Sequence, residues 1–71
     1  MVVTHQADPQ ITDRQREVLV LVCDGLTNAQ IAERLGIATR TVKAHSDALR
    51  QKLGVEHKRD LILRARELAL V

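Results

Sequence analysis

The segment from residue 26 to residue 55 limits the possible folds most strongly, because helix start and stop signals follow one another closely there. Thr27, with a glutamine three residues later, predicts a capping box at the start of one helix. Gly36 predicts its end, because glycine readily adopts the left-handed conformation that closes a helix. Thr39 is the predicted N-cap of a second, longer helix that lasts until Gly54. The segment therefore predicts two helices joined by a three-residue turn.

The flanking segments predict two further helices. One starts at Thr12 and ends at Gly25, and the last runs from about Lys58 to Leu70. Apolar residues recur along each predicted helix at the spacing that places them on one face. The predicted core residues are Ile11, Val18, Leu19, Leu21, Val22, Ile31, Ala32, Leu35, Val42, Leu49, Leu53, Leu61, Ile62, Ala65 and Leu68. The predicted fold class is all-α, a compact four-helix bundle that contains a helix-turn-helix.

Length and composition exclude several classes of protein. Seventy-one residues allow one small domain, predicted at 11–71 after a flexible tail or linker remnant at 1–10. The lone Cys23 cannot form an internal disulfide and fits a reducing compartment, and the three histidines lack zinc-ligand spacing. No metal or cofactor is therefore expected. We find no membrane span, signal peptide, phosphate loop or nucleophile–base pair, which predicts a cytoplasmic protein that is not an enzyme.

The distribution of charge favours a polyanionic partner. The net charge is +2, but residues 25–54 contain five basic and two acidic side chains, a balance of +3. A basic helix next to a tight turn fits entry into the major groove of double-stranded DNA. The chain contains no aromatic residue, which argues against proteins that read single strands or RNA by stacking bases.

The order of these residues resembles a known family. The segments that carry the resemblance are Ile11–Leu19, Gly25–Asn28, Ile31–Ala32, Leu35, Thr41–Lys43, His45 and Lys52–Val55. Together they are similar to the LuxR/FixJ (NarL-type) C-terminal helix-turn-helix domain of bacterial transcriptional regulators. The resemblance covers about residues 11–70. It implies a homodimer on DNA, with the third helix in the major groove and the fourth at the dimer contact.

This chain departs from the family pattern at several positions. Gln15 stands where glutamate is common, which keeps the cap but removes a charge. Ala29 replaces a frequent lysine, and Ala38 replaces a common serine or threonine. Asp47 occupies a surface position that is often basic or neutral. The departures concern DNA sequence preference more than the fold.

The candidate DNA-binding residues cluster on the third helix and at two helix starts. Lys43 is the first candidate, because an ammonium on the outer face can reach a guanine edge or a phosphate. Arg40 is expected to contact a base or phosphate, whereas Arg50 is equally compatible with a phosphate contact or a surface ion pair. Ala44 lies on the same face. Candidate phosphate contacts at the helix starts, where capping alone is the alternative role, are Thr27, Asn28, Thr39 and Thr41.

Asp47 lies on this predicted face and has two possible roles. Its carboxylate could accept a hydrogen bond from a cytosine amino group. The preferred interpretation is an ion pair with Lys43 or Arg50, which lie four and three residues away. We expect Asp47 to narrow the choice of DNA sequence instead of adding affinity.

The fourth helix carries a predicted self-association surface. Leu63 and Leu70, seven residues apart, are expected to point away from the buried stripe of Leu61, Ala65 and Leu68. With Arg66 they form the candidate dimer contact. We expect a monomer in dilute solution and a dimer on an inverted-repeat operator.

Two classes of function remain open at this point. The first is sequence-specific binding of double-stranded DNA for transcriptional regulation. The second is a protein-interaction module that docks on RNA polymerase or another regulator and binds DNA weakly. Ala29 and Asp47 are the residues that favour the second. The linker-like first ten residues fit a fragment of a longer regulator.

Overall fold

The chain folds into four helices connected by short turns. The structure, a computed structural model, describes residues 10–71. The helices are α1 (Asp13–Cys23), α2 (Asn28–Leu35), α3 (Thr39–Leu53) and α4 (Lys58–Glu67). Between residues 10 and 71 there is no strand, so the predicted all-α bundle is confirmed. The predicted tail lies outside the described residues, apart from Gln10. None of the four helices is long and apolar enough to cross a bilayer.

Two helices begin with the predicted capping boxes. At α1 the Thr12 hydroxyl accepts from the Gln15 N–H at 3.1 Å, and the Gln15 side chain accepts from the Thr12 N–H at 3.1 Å. At α2, Thr27 and Gln30 make the same reciprocal pair at 3.2 and 2.8 Å. Each box satisfies two N–H groups that a helix start otherwise leaves without a partner.

The start of α3 differs from the prediction. Ala38, not Thr39, is the N-cap residue, with extended φ and ψ of −71° and 147°, and it provides no side-chain hydrogen bond. Thr39 is the first helical residue. The left-handed Gly36 (φ 69°) closes α2 as predicted, and the extended backbone of Ala38 leads into α3 one residue earlier than expected.

A core of aliphatic side chains holds the helices together. α1 and α3 each pack against the other three helices. The predicted burial of Val42, Leu49 and Leu53 on α3 is confirmed. The other buried apolar residues are Val18, Leu19, Val22, Ile31, Ala32, Leu61, Ala65 and Leu70. The remaining predicted core residues, Ile11, Leu21, Leu35, Ile62 and Leu68, are partly buried against this cluster.

The end of α4 corrects the prediction for Leu70. The helix ends at Glu67, and Ala69 then adopts a left-handed conformation with φ 57°. This turn brings the Leu70 N–H to the Ala65 carbonyl at 2.8 Å, the hydrogen-bond pattern of a Schellman motif. Leu70 consequently enters the core and is only 5% exposed. The expectation that Leu70 points outward was wrong, because it assumed that the helix continues through this residue.

Basic side chains link the ends of the helices to distant carbonyl groups. Lys52, at the end of α3, donates to the Gln10 carbonyl and to the Gln15 side chain, the latter at 2.9 Å. Lys58 donates to the Leu26 carbonyl at 3.2 Å, and Arg64 to the Leu53 carbonyl at 3.3 Å. These hydrogen bonds tie the C-terminal end of α3 to the start of α1 and to α4, and the start of α4 to the turn before α2.

Candidate nucleic-acid interface

The side of α3 that faces away from the core forms a continuous polar surface, which we call the α3 face. By the 100° step of an α-helix, its members span about 120° of the helix circumference. They are Arg40, Lys43, Ala44, Asp47, Arg50 and Gln51. Asp47 and Arg50 are half-buried and the other four are exposed. The structure therefore brings together five of the third-helix residues that were predicted to meet DNA, whereas Thr39 and Thr41 lie outside this arc.

Asp47 pairs with two cations of the α3 face at once. Its Oδ2 lies 3.4 Å from the Lys43 Nζ, and its Oδ1 accepts from an Arg50 Nη2. The ion-pair interpretation of Asp47 is therefore confirmed for both partners. Such pairs between solvent-accessible groups on a helix surface contribute about 1 kcal/mol or less, so a phosphate can exchange for the carboxylate.

Arg40 differs from the other two cations of this face. Its side chain is exposed and, among the described residues 10–71, forms no ion pair or side-chain hydrogen bond. It lies in the first turn of α3. A free guanidinium there adds positive potential to a helix N-terminus that already attracts anions.

The helix starts place hydrogen-bond donors at the surface. Thr27, Thr39 and Arg40 are exposed, whereas Asn28 and Thr41 are half-buried. The Thr27 hydroxyl oxygen already accepts from α2, so the predicted capping role is confirmed there. At α3 no side chain caps the helix, which leaves its first N–H groups accessible to an external acceptor. Substitution of the usual cap residue by Ala38 was the sequence signal for this feature.

The +3 charge balance of residues 25–54 includes one cation, Lys52, that is not part of the α3 face. Lys52 contributes to the positive balance of residues 25–54, yet its ammonium is held by Gln10 and Gln15. No local spacing could reveal this, since Gln15 lies 37 positions away in the chain. The positive charge of the α3 face therefore comes from Arg40, Lys43 and Arg50 alone.

The candidate dimer residues separate into two groups. Leu63 on α4 is 58% exposed, and Arg66 is also exposed. Both are accessible to a second chain. Leu70 belongs to the core of the single chain and does not share their surface.

Two other kinds of site were considered among residues 10–71, a reactive thiol and a metal centre. Burial raises the pKa of the Cys23 thiol; the nearby Arg66 lowers it and Asp24 raises it. A raised pKa leaves less of the reactive thiolate at neutral pH. Residues 10–71 contain no cluster of side chains suited to hold a metal ion. The α3 face therefore remains the main candidate site.

Comparison with known proteins agrees with this geometry. Residues 9–65 match the family described as bacterial regulatory proteins, luxR family. The crystal structure of the response regulator ChrA in a heme-sensing two-component system superposes on 96% of this chain with a TM-score of 0.85 and 32% sequence identity. The chain covers only 34% of the length of ChrA. Because the family match spans most of the chain, the protein belongs to the LuxR family of bacterial regulatory proteins, a family of DNA-binding transcription regulators.

Proposed function

We propose that this domain binds double-stranded DNA sequence-specifically, with α3 in the major groove, and thereby regulates transcription. The observation that carries the proposal is the α3 face itself. It presents three cations on a helix whose opposite side, Val42, Leu49 and Leu53, is anchored in the core. An exposed helix held rigidly in this way fits the width of the major groove.

Within this proposal the residues have distinct roles. Lys43 and Arg40 contact base edges or phosphates, and Arg50 contacts a phosphate. Ala44 lacks polar side-chain atoms, so it can only pack against an apolar group such as a thymine methyl. The phosphate contacts at the helix starts come from Thr27, Asn28, Thr39 and Thr41, in addition to their local roles.

We further propose that two copies bind an inverted-repeat operator through α4. The exposure of Leu63 and Arg66 supports this arrangement. Leu63→Asp should abolish cooperative binding to two half-sites while a single half-site is bound as before. Val20→Asp is the control, because Val20 is an exposed apolar residue (40%) on α1. Equal cooperativity in wild type and Leu63→Asp would contradict the α4 interface.

Selection from a random DNA pool followed by fluorescence anisotropy tests the main proposal. Lys43→Ala should weaken binding to the selected duplex, by about 1–3 kcal/mol for a base contact. Arg14→Ala is a matched control, because Arg14 is also a surface cation paired with an acidic residue, Glu17 at 3.2 Å, but lies on α1. If no duplex is preferred, or both variants bind like wild type, the proposal fails.

The likeness to ChrA supports a wider proposal about the intact regulator. ChrA belongs to a two-component system, and this chain corresponds to 34% of it. We propose that this domain acts in a response regulator whose signal-receiving part is a separate domain. A full-length regulator whose DNA affinity changes on phosphorylation would support this view, and one without such a response would contradict it.

Docking on RNA polymerase or another protein is the second candidate function. An open, mainly apolar groove between α1 and α2 supports it. The apolar residues that line this groove are Val20, Leu21 and Leu35, and none of its lining residues belongs to α3. Val20→Asp should therefore weaken the effect of the regulator on transcription from its target promoter while DNA affinity is unchanged. An unchanged effect on transcription in this variant would exclude the groove as a docking surface.

A further inference from the structure

The two oxygens of the Asp47 carboxylate are divided between two cations. One oxygen faces Lys43, four residues earlier, and the other faces Arg50, three residues later. The side chain of Asp47 is 46% exposed, Lys43 69% and Arg50 30%. Asp47 thus lies between these two cations on the surface of α3, where each could instead contact a phosphate oxygen.

This arrangement lowers the charge that the α3 face presents to DNA. Its three cations are offset by one carboxylate, so the face carries +2 and not +3, and only Arg40 has no acidic partner among residues 10–71. A phosphate that binds Lys43 or Arg50 must displace the carboxylate. It must also approach the negative charge of Asp47 itself.

We propose that Asp47 is an internal competitor for phosphate that suppresses non-specific DNA binding and thereby sets the specificity of the domain. This proposal rests on the proposed function above. Non-specific binding depends almost entirely on phosphate contacts, so Asp47 weakens it by competing for both Lys43 and Arg50. In a specific complex Lys43 contacts a base edge and only Arg50 competes with Asp47 for a phosphate, so the cost is smaller.

The test is Asp47→Asn, which keeps the shape of the side chain and removes its charge. Each recovered phosphate contact makes the negative slope of log affinity against log salt steeper by about 0.9, a factor of about eight at 0.1 M relative to 1 M salt. We expect Asp47→Asn to bind a random-sequence duplex about eightfold more tightly. Binding to the selected duplex should change by less than threefold, so the specificity ratio falls.

Glu17→Gln is the matched control for net charge. Glu17 is also a surface carboxylate whose partner is an arginine three residues away, Arg14, but the pair lies on α1. It changes the net charge by the same amount as Asp47→Asn. We expect less than a twofold effect on either duplex. An equal gain in both variants would overturn the proposal, because the cause would then be net charge alone.

A double variant that lacks Lys43 and Arg50 tests whether these two cations, once freed from Asp47, cause the gain in non-specific DNA affinity. In Lys43→Ala/Arg50→Ala protein, the additional Asp47→Asn substitution should tighten non-specific binding by much less than eightfold, because only the direct repulsion between Asp47 and phosphate is then removed. Unchanged non-specific binding by Asp47→Asn would overturn the proposal. So would a loss confined to the selected duplex, which would show that Asp47 accepts from a cytosine. If instead wild type prefers no duplex at all, the proposed function itself has failed.

Discussion

Replacement of Leu70 tests the largest difference between the predicted and the observed structure. Leu70 is 5% exposed although it lies outside α4, one residue from the end of the chain. Leu70→Ala removes three buried carbon groups, each worth about 0.8 kcal/mol, or about 2.4 kcal/mol together. A site at the edge of the core can partly collapse, so the cavity adds little, and we expect a total loss of about 2–3 kcal/mol.

Leu63→Ala is the internal control for this experiment. Leu63 is the same residue type on the same segment, but it is 58% exposed. Its replacement should change the stability of the single chain by less than about 0.5 kcal/mol. The two variants therefore separate a core leucine from a surface leucine.

Thermal and urea denaturation followed by circular dichroism provide the measurement. A domain of this length has a total stability of about 4–10 kcal/mol, so Leu70→Ala removes a large part of it. The expected fall in Tm is about 8–24 °C, against almost none for Leu63→Ala. If the two variants unfold within about 2 °C of each other, Leu70 does not belong to the core and the argument from the Ala69 turn is refuted.

Three further predictions concern local structure. Ala69→Gly should stabilise the domain by about 0.5–1 kcal/mol, because glycine adopts the left-handed conformation of this position without the strain that a Cβ causes. Ala44→Gly inside α3 should destabilise the domain by a similar amount, and urea denaturation measures both changes. Ala38→Ser should add about 1 kcal/mol by supplying the missing cap, and an unchanged urea midpoint would contradict that reasoning. Cys23 should react with iodoacetamide more slowly than a free cysteine at about pH 8, because its raised pKa disfavours the thiolate; urea should remove the difference.

Local interactions account for what was predictable in the candidate site. Asp47 reaches its partners within one helical turn, so the spacing alone indicated both ion pairs. The same holds for Thr27, whose capping partner Gln30 is three residues away. The exposure of Lys43 followed from its place on the face away from Val42, Leu49 and Leu53. In each case the helix geometry, and no distant contact, determines the result.

Features that join distant parts of the chain were not predictable. The ammonium of Lys52 is bound by groups near the start of α1, and the carbonyl of Leu70 accepts from Arg16 at 3.0 Å across 54 positions. Neither pair has a sequence signal, because any of several basic residues could have reached those oxygens. For this reason the +3 balance of residues 25–54 overstated the positive charge that is free to meet a partner.

The amino-acid sequence by itself determined the four helices, the capping boxes at Thr12 and Thr27, and the buried stripe of α3, since these depend on residues within a few turns of one another. The tertiary structure alone decided that Leu70 enters the core and that the ammonium of Lys52 is bound by Gln10 and Gln15. The physical reason is that backbone direction at a turn, and the oxygens it exposes to distant cations, are set by the packing of whole helices against one another.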